Sequence, residues 1–341
     1  MDMTARRFEK RRIARTDLEV TTLGLGGASL AGIFSAVPAE QARATVAHAL
    51  DQGLDYVDTA PQYGLGRSEH LVGDVVRAAS PRPIISTKVG RLLKPVDPAV
   101  QDKGNWVDPL PFDQVYDYSY DGIMRSHADS LQRLGLERVD ILYVHDIGVA
   151  THGVEANKPL WEQLASGGYR ALRELRDSGV VKAIGLGVNE WEVCMGAFAL
   201  GDWDVFLLAG RYTLLEQTAL APFMTTCIER KASVVVGGPF NSGILVGGDT
   251  FNYAKAPDDI VQRVRAIEAV CKAFNVPLPA AALQFPLTHP AVCNVLPGPR
   301  SPQELDGILD WWDTKIPDAL WSTLADEGLL APGTPIPGGT A

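Results

Sequence analysis

The chain has 341 residues, 46 % of them apolar, and a formal net charge of −10. That is enough apolar material for one large domain or two ordinary ones, and the acidic balance argues against nucleic acid or an anionic membrane as the main partner. No apolar run reaches about 18 residues; the four cysteines form no CxxC pair and the six histidines show no HExxH spacing, so no membrane span, disulfide framework or metal site is expected.

The chain opens on a basic cluster, RRFEKRR (Arg6 to Arg12), with no apolar stretch behind it. It reads as a flexible segment over residues 1–12 rather than a secretory or nuclear signal, and a reducing cytoplasm is the expected compartment. TTLGLGG from Thr21 is the first strand candidate. Within it, LGLGGAS (Leu23 to Ser29) imitates a Rossmann glycine turn. That fingerprint needs a helix opening on the glycines and an acid about 20 residues on. Here the helix signal comes only at Pro38, and the next strand-end acid, Asp58, lies later still. Pro38 opens AEQARATVAHALDQG, with an apolar period near 3.6 and Gly53 as its stop.

The second strand candidate is GLDYVDT from Gly53, which ends on Asp58 and leads into a Pro- and Gly-rich loop carrying Tyr63. SEHLVGDVVRAA then reads as a helix. PIISTKV from Pro83 is a strand ending near Lys88, followed by an insertion from Arg91 to Tyr118. Tyr120 to Leu134 is an amphipathic helix with Gly135 as its stop. RVDILYVH from Arg138 is a strand ending on His145, followed by a second insertion from Ile147 to Gly168. The remaining strand candidates are VKAIGLGV from Val181, DVFLLAG from Asp204, ASVVVGGP from Ala232 and AVCNVLPG from Ala291. Helix signals lie at Gly168 to Ser178, Leu215 to Arg230, Asp258 to Phe274 and Pro302 to Trp311. The last residues, APGTPIPGGTA, read as a mobile tail over 331–341.

Eight near-continuous apolar runs alternating with helices predict a (β/α)8 TIM barrel, a single α/β domain over residues 13–330. A doubly wound sheet with a second domain is the alternative, but no linker or composition break marks one. Barrel chemistry gathers at the C-terminal strand ends. Asp58, Lys88 and His145 end consecutive strands about 4.8 Å apart, with Tyr63 just behind the first. Taken singly, Asp58 reads as turn chemistry, Lys88 as a solvated strand end and His145 as a core histidine. Together they make an acid/base tyrosine. A phenol has a pKa of about 10; an ammonium against its oxygen lowers it, an aspartate holds the lysine, and a histidine binds the substrate oxygen.

DTAPQYGLGRSE (Asp58 to Glu69), STK with Lys88 and DILYVHD with His145 together resemble the signatures of the aldo-keto reductases, and the resemblance runs from about Arg12 to Ile316. It implies the same barrel, a nicotinamide cofactor bound in extended form at the mouth, and a catalytic tetrad at Asp58, Tyr63, Lys88 and His145. LPFDQVYDYSYDGIMRSHADSLQRLGLERVDILYVHDIG resembles the aldose 1-dehydrogenase branch, which includes L-fucose (D-threo-aldose) and L-galactose dehydrogenases. LAGRYTLLEQ (Leu208 to Gln217) resembles that branch and the nearby pyridoxal 4-dehydrogenases.

For the cofactor, the resemblance places the nicotinamide carboxamide at Asn189. The family's usual neighbours are replaced by Val188, Ala209, Gly237 and Gly238. PFNSGIL matches the loop that wraps the pyrophosphate, giving Pro239, Phe240, Asn241, Ser242, Gly243 and Leu245 as contacts. LPGPRSPQEL resembles the adenosine end, with Gly298, Arg300 and Glu304. NADP-preferring relatives carry a lysine and an arginine near Gly298 and Glu304, so NAD is expected over NADP. The implied activity is oxidation of a cyclic aldose of the L-fucose, L-galactose or D-arabinose type at C1 to its lactone. The same chemistry on pyridoxal is one alternative; a cofactor-bound regulatory subunit is another. The substrate is expected among Trp106 to Tyr118 and Ile147 to Gly168, both read as irregular loops.

Overall fold

Each of the eight apolar runs becomes a strand of one parallel sheet. The structure, a computed structural model, describes residues 7–338. The barrel strands are β1 (Leu25–Gly26), β2 (Tyr56–Asp58), β3 (Ile84–Val89), β4 (Ile141–His145), β5 (Ala183–Val188), β6 (Val205–Ala209), β7 (Ser233–Gly237) and β8 (Val292–Leu296). Each pairs with its neighbour in sequence, and a parallel bridge between Leu23 and Val295 closes the ring. This is the expected (β/α)8 barrel.

Strand residues alternate between two cores, as the two-residue period requires. Tyr56, Ile141, Tyr143, Ala183, Val205, Val235 and Leu296 form the inner cluster. Val57, Leu142, Val144, Ile184 and Val234 join the larger cluster under the helices. The strands are buried on both faces, which is why they read as continuous apolar runs.

Two helices start on serine caps, Ser119 and Ser301. The helix Tyr120–Leu134 starts on Ser119, whose Oγ accepts from the Gly122 N–H, and stops at Gly135 with a φ of 63°. The helix expected over Leu215 to Arg230 forms only from Leu220, as Leu220–Met224 and Thr225–Glu229. Ala221 within it is extended, at φ −136° and ψ 135°, because a residue before proline is disfavoured in the helical region.

Three expectations are corrected. The basic N-terminal stretch is not a free tail where it is described. Lys10–Arg12 pairs antiparallel with Glu19–Thr21, Phe8 is buried, and Arg11 Nη1 donates to the carbonyls of Leu287 (3.1 Å) and Val292 (2.8 Å). Those contacts hold it against the start of β8; residues 1–6 lie outside the described residues. The C-terminal stretch also packs. The Ala331 N–H donates to Gln217 Oε1 at 3.0 Å and Ile336 lies against the core; residues 339–341 lie outside the described residues. Finally, the insertions are structured. The first carries a hairpin, Arg91–Pro95 with Phe112–Tyr116. The second is largely helical, through Val149–His152, Val154–Gln163 and Leu164–Gly168. Among the described residues no single helix is long and apolar enough to cross a membrane, and all four cysteines are free and buried.

Candidate active site

Asp58 and His145 are the last residues of β2 and β4, and Lys88 lies one residue before the end of β3. Parallel pairing sets Asp58 beside Ser86 and Lys88 beside Tyr143. Lys88 is 1 % exposed, so its ammonium needs partners inside the protein. Nζ donates to Asp58 Oδ2 at 2.6 Å and to the Thr59 carbonyl at 3.0 Å. Asp58 Oδ1 accepts from Ser86 Oγ at 2.6 Å. The Tyr56 hydroxyl continues the network, sharing hydrogen bonds with Ser86 Oγ and the Tyr143 hydroxyl. Gly187 leaves room for the lysine: a Cβ there would stand 3.1 Å from Lys88 Cε.

Tyr63 is partly exposed, into the mouth of the barrel. Its ring centroid lies 4.6 Å from Lys88 Nζ and 5.9 Å from the His145 ring. The four sequence-predicted residues therefore meet at one place. The lysine stands over the ring face, however, and directs its hydrogen bonds to Asp58 and Thr59. Burial pushes the Tyr63 phenol well above its ordinary range, Asp58 adds to this, and Arg91 opposes it. The lowered phenol pKa expected from a lysine at the oxygen is not what this arrangement gives. Burial raises Asp58 and lowers Lys88, with each partner opposing the other's shift. Burial, then Arg91 and Lys88, push His145 well below its usual value, so its imidazole is neutral at pH 7.

Arg91, Asp146 and Tyr253 at this mouth were missed in the sequence, whereas Trp106 and Gln114 belong to a loop expected to meet the substrate. Arg91, 2 % exposed, pairs with Asp146 Oδ2, and its Nη1 donates to Gln114 Oε1 at 2.7 Å. Asp146 Oδ1 accepts from Asn189 Nδ2 at 3.3 Å. The available signal was position: Arg91 follows the end of β3 by two residues, and Asp146 follows His145 directly. Trp106 arrives by a longer route. It bridges Ile33, with Val107 N–H donating to the Gly32 carbonyl at 2.8 Å, and lies 5.9 Å from the Tyr63 ring. Tyr253, from the hairpin Thr250–Phe251 with Ala254–Lys255, reaches Asn189 Oδ1 with its hydroxyl at 3.4 Å. The cavity, open at the mouth of the barrel, is about 340 Å³, with Trp106, Tyr63 and Tyr253 as aromatic walls and Gln114, Asp146 and Asn189 as polar ones. Its size and mixed lining are those of a small-molecule site.

The predicted cofactor residues lie in three places. Asn189 lines the cavity beside the small residues Val188 and Ala209. In the loop after β7, Pro239 and Leu245 are buried, and Phe240 packs edge-on against Trp311 at 5.8 Å. Asn241 is 2 % exposed; its Oδ1 accepts from Thr213 Oγ1 at 2.6 Å and its Nδ2 donates to the Gly210 carbonyl at 3.2 Å. These four side chains hold the loop rather than face a ligand. Ser242 and Gly243 remain on its outer side. At Gly238, Gly243 and Gly247 nothing lies within 4 Å of where a Cβ would stand, so the loop backbone is open at these positions, as suits a pyrophosphate. A dinucleotide fits these residues.

At the far end, Gly298 packs on Ser29, whose Oγ would lie 2.7 Å from an added Cβ. Arg300 is not free: it pairs with Glu304 Oε1 at 2.9 Å, and its Nη1 donates to Ser35 Oγ at 3.1 Å. Glu304 Oε2 also accepts from the Arg300 N–H at 2.8 Å.

Comparison with known proteins agrees with this geometry. Residues 22–326 match the model of the Aldo/keto reductase family. The chain is 45 % identical to a pyridoxal 4-dehydrogenase from Microbacterium luteolum, over 95 % of this chain and 98 % of that one. It is 37 % identical to a D-threo-aldose 1-dehydrogenase from a Pseudomonas species, over 93 % and 97 %. A solved aldo-keto reductase from Bacillus halodurans superposes with a TM-score of 0.72 at 21 % identity, over 95 % of this chain and 97 % of that one. A closed eight-stranded barrel, an aspartate–lysine pair beneath a tyrosine and a histidine at its mouth, and a family match spanning the barrel lead to one conclusion: the chain belongs to the aldo/keto reductase family.

Proposed function

We propose that this oxidoreductase removes hydride from the hemiacetal carbon of a small cyclic substrate and leaves a lactone. The observation that carries the reading is the meeting of Tyr63, His145 and the Lys88–Asp58 pair at the mouth of the barrel, in the same cavity that Asn189 lines. A nicotinamide nucleotide, when bound, supplies the hydride-accepting carbon. Asn189 and the Gly238–Gly247 loop are the residues that would hold it.

The chain's own residues do the rest. Tyr63 takes the proton of the hemiacetal hydroxyl, the general-base role. Lys88 packs over its ring face, 4.6 Å from the centroid, and Asp58 and Ser86 keep Lys88 in place. Neutral His145 orients the reacting oxygen, 5.9 Å ring to ring from Tyr63. Trp106 and Tyr253 form aromatic walls of the cavity into which Tyr63 opens.

Two substrate classes share this chemistry, because pyridoxal closes to an internal hemiacetal as an aldose does. The sequence motifs put the aldose first; the 45 % identity to a pyridoxal 4-dehydrogenase, against 37 % to a D-threo-aldose 1-dehydrogenase, puts pyridoxal first. The aromatic walls favour the flat ring of pyridoxal. The aldose reading keeps the support of the polar side chains of Gln114 and Asp146 in the cavity wall. NAD is the proposed partner, because Glu304 neutralises Arg300, the one cation predicted for the adenosine end. The test is NAD and NADP reduction across pyridoxal, L-fucose, L-galactose and D-arabinose. Turnover of pyridoxal supports the first reading, turnover of the sugars alone supports the second, and turnover of none rejects both.

A further inference from the structure

A second buried charge pair stands beside the Lys88–Asp58 pair. Arg91 opens the hairpin after β3 and is 2 % exposed. Its guanidinium meets Asp146 and Gln114 and lies 5.0 Å from the centroid of the Tyr116 ring. Asp146 follows His145 with a φ of 47°, a left-handed conformation that costs energy in a non-glycine residue and persists only when its surroundings hold it. Its Oδ2 lies 3.5 Å from His145 Nε2, and its Oδ1 accepts from Asn189 Nδ2. One carboxylate thus touches both the imidazole at the end of β4 and the amide just past β5.

Removing two charges from water is expensive, so a buried ion pair is weak support for stability by itself. Asp146 lines the cavity, with Arg91 buried behind it, and the carboxylate's other contacts are to groups that the mechanism uses. We propose that Arg91 and Asp146 are positioning residues: Asp146 fixes the orientation of the His145 ring and the Asn189 amide, and Arg91 cancels the carboxylate's charge so that neither acts alone on Tyr63. The proposal rests on the hydride-transfer reading above.

The groups facing Tyr63 come from every element around it. Asp58 and Lys88 come from β2 and β3, Arg91 from the hairpin, His145 and Asp146 from the end of β4, and Tyr253 from the Thr250–Lys255 hairpin. Asp146 pushes the phenol up and Arg91 pulls it down. Removing one leaves the other unbalanced, so the two single variants move Tyr63 in opposite directions. A role in packing alone predicts no such opposition.

The test uses the holoenzyme with two readouts. The first is the pH dependence of kcat/KM for substrate oxidation. With Asp146→Asn the rising limb moves to lower pH by about one unit, with Arg91→Met it moves to higher pH by about one unit, and the double variant returns near the wild-type position. Shifts of the same sign in both single variants, or a double variant as displaced as either, overturn the proposal. If Arg91→Met fails to fold, the near-isosteric Asp146→Asn decides alone, and an unmoved limb overturns the proposal. The second readout is NADH binding by fluorescence titration, which needs no turnover. Asp146→Ala weakens it by about tenfold through the lost hold on Asn189, and an unchanged dissociation constant overturns the proposal. If no hemiacetal of the panel turns over, the functional reading fails while the NADH titration still judges the positioning role.

Discussion

Lys88 Nζ lies 4.6 Å from the centre of the Tyr63 ring while it donates a 2.6 Å hydrogen bond to Asp58. The lysine therefore serves two partners at once, and its removal has consequences for stability as well as for chemistry. Lys88→Met leaves the Asp58 carboxyl buried without its cation, and we expect a loss of about 3–5 kcal/mol in urea denaturation at pH 7. Without Lys88, burial raises Asp58 further. A carboxyl whose folded pKa exceeds its unfolded one contributes stability at low pH and loses it as pH rises. The deficit of the variant is expected to shrink as pH falls toward the ordinary carboxylate range. The double variant Asp58→Asn/Lys88→Met recovers part of the loss.

Tyr63→Phe keeps the ring between Lys88, His145 and Trp106 and removes only the hydroxyl. We expect an unchanged melting curve, NADH binding within a few-fold of wild type, and a fall in kcat of about 10²–10⁴. A variant retaining more than about a tenth of wild-type kcat shows that the proton goes elsewhere.

The pH dependence follows from the burial of that phenol. Burial and Asp58 hold Tyr63 above its ordinary value, so the base form is the minor species at neutral pH. Oxidation needs that form. Its kcat/KM is expected to rise about tenfold per pH unit between about pH 7 and 9, with no plateau in that window. A flat profile there removes Tyr63 as the base.

Cofactor choice turns on Arg300, which is tied to Glu304 and Ser35. NAD is expected to give the higher kcat/KM. Glu304→Arg removes the neutralising carboxylate and adds a cation, and is expected to shift the ratio toward NADP by about 1–3 kcal/mol. A wild-type preference for NADP contradicts this assignment.

The barrel and the Asp58–Tyr63–Lys88–His145 cluster were legible because they follow from local rules. Parallel strands buried on both faces leave continuous apolar runs, and strand ends in a barrel converge by topology. What was not legible depends on long-range contact. Arg11 finds the Leu287 and Val292 carbonyls far along the chain, so its segment read as a solvated tail. Trp106 reaches Tyr63 only because its loop bridges Ile33. Phe240, Asn241 and Leu245 match a cofactor loop in sequence, yet their side chains turn into the fold. The second insertion read as irregular but is helical, although it contains Gly153, Pro159, Gly167 and Gly168.

The central claim is hydride removal at a hemiacetal carbon, and the most direct measurement is the identity of the first product. Wild-type protein is incubated with NAD and 13C-labelled pyridoxal or L-fucose and followed by NMR from the first minutes. The account expects the lactone carbonyl to appear with the first equivalents of NADH, with any open-chain acid following by hydrolysis, and no lactone from Tyr63→Phe on the same timescale. An open-chain acid as the initial product, or no NADH from any hemiacetal tested, contradicts it.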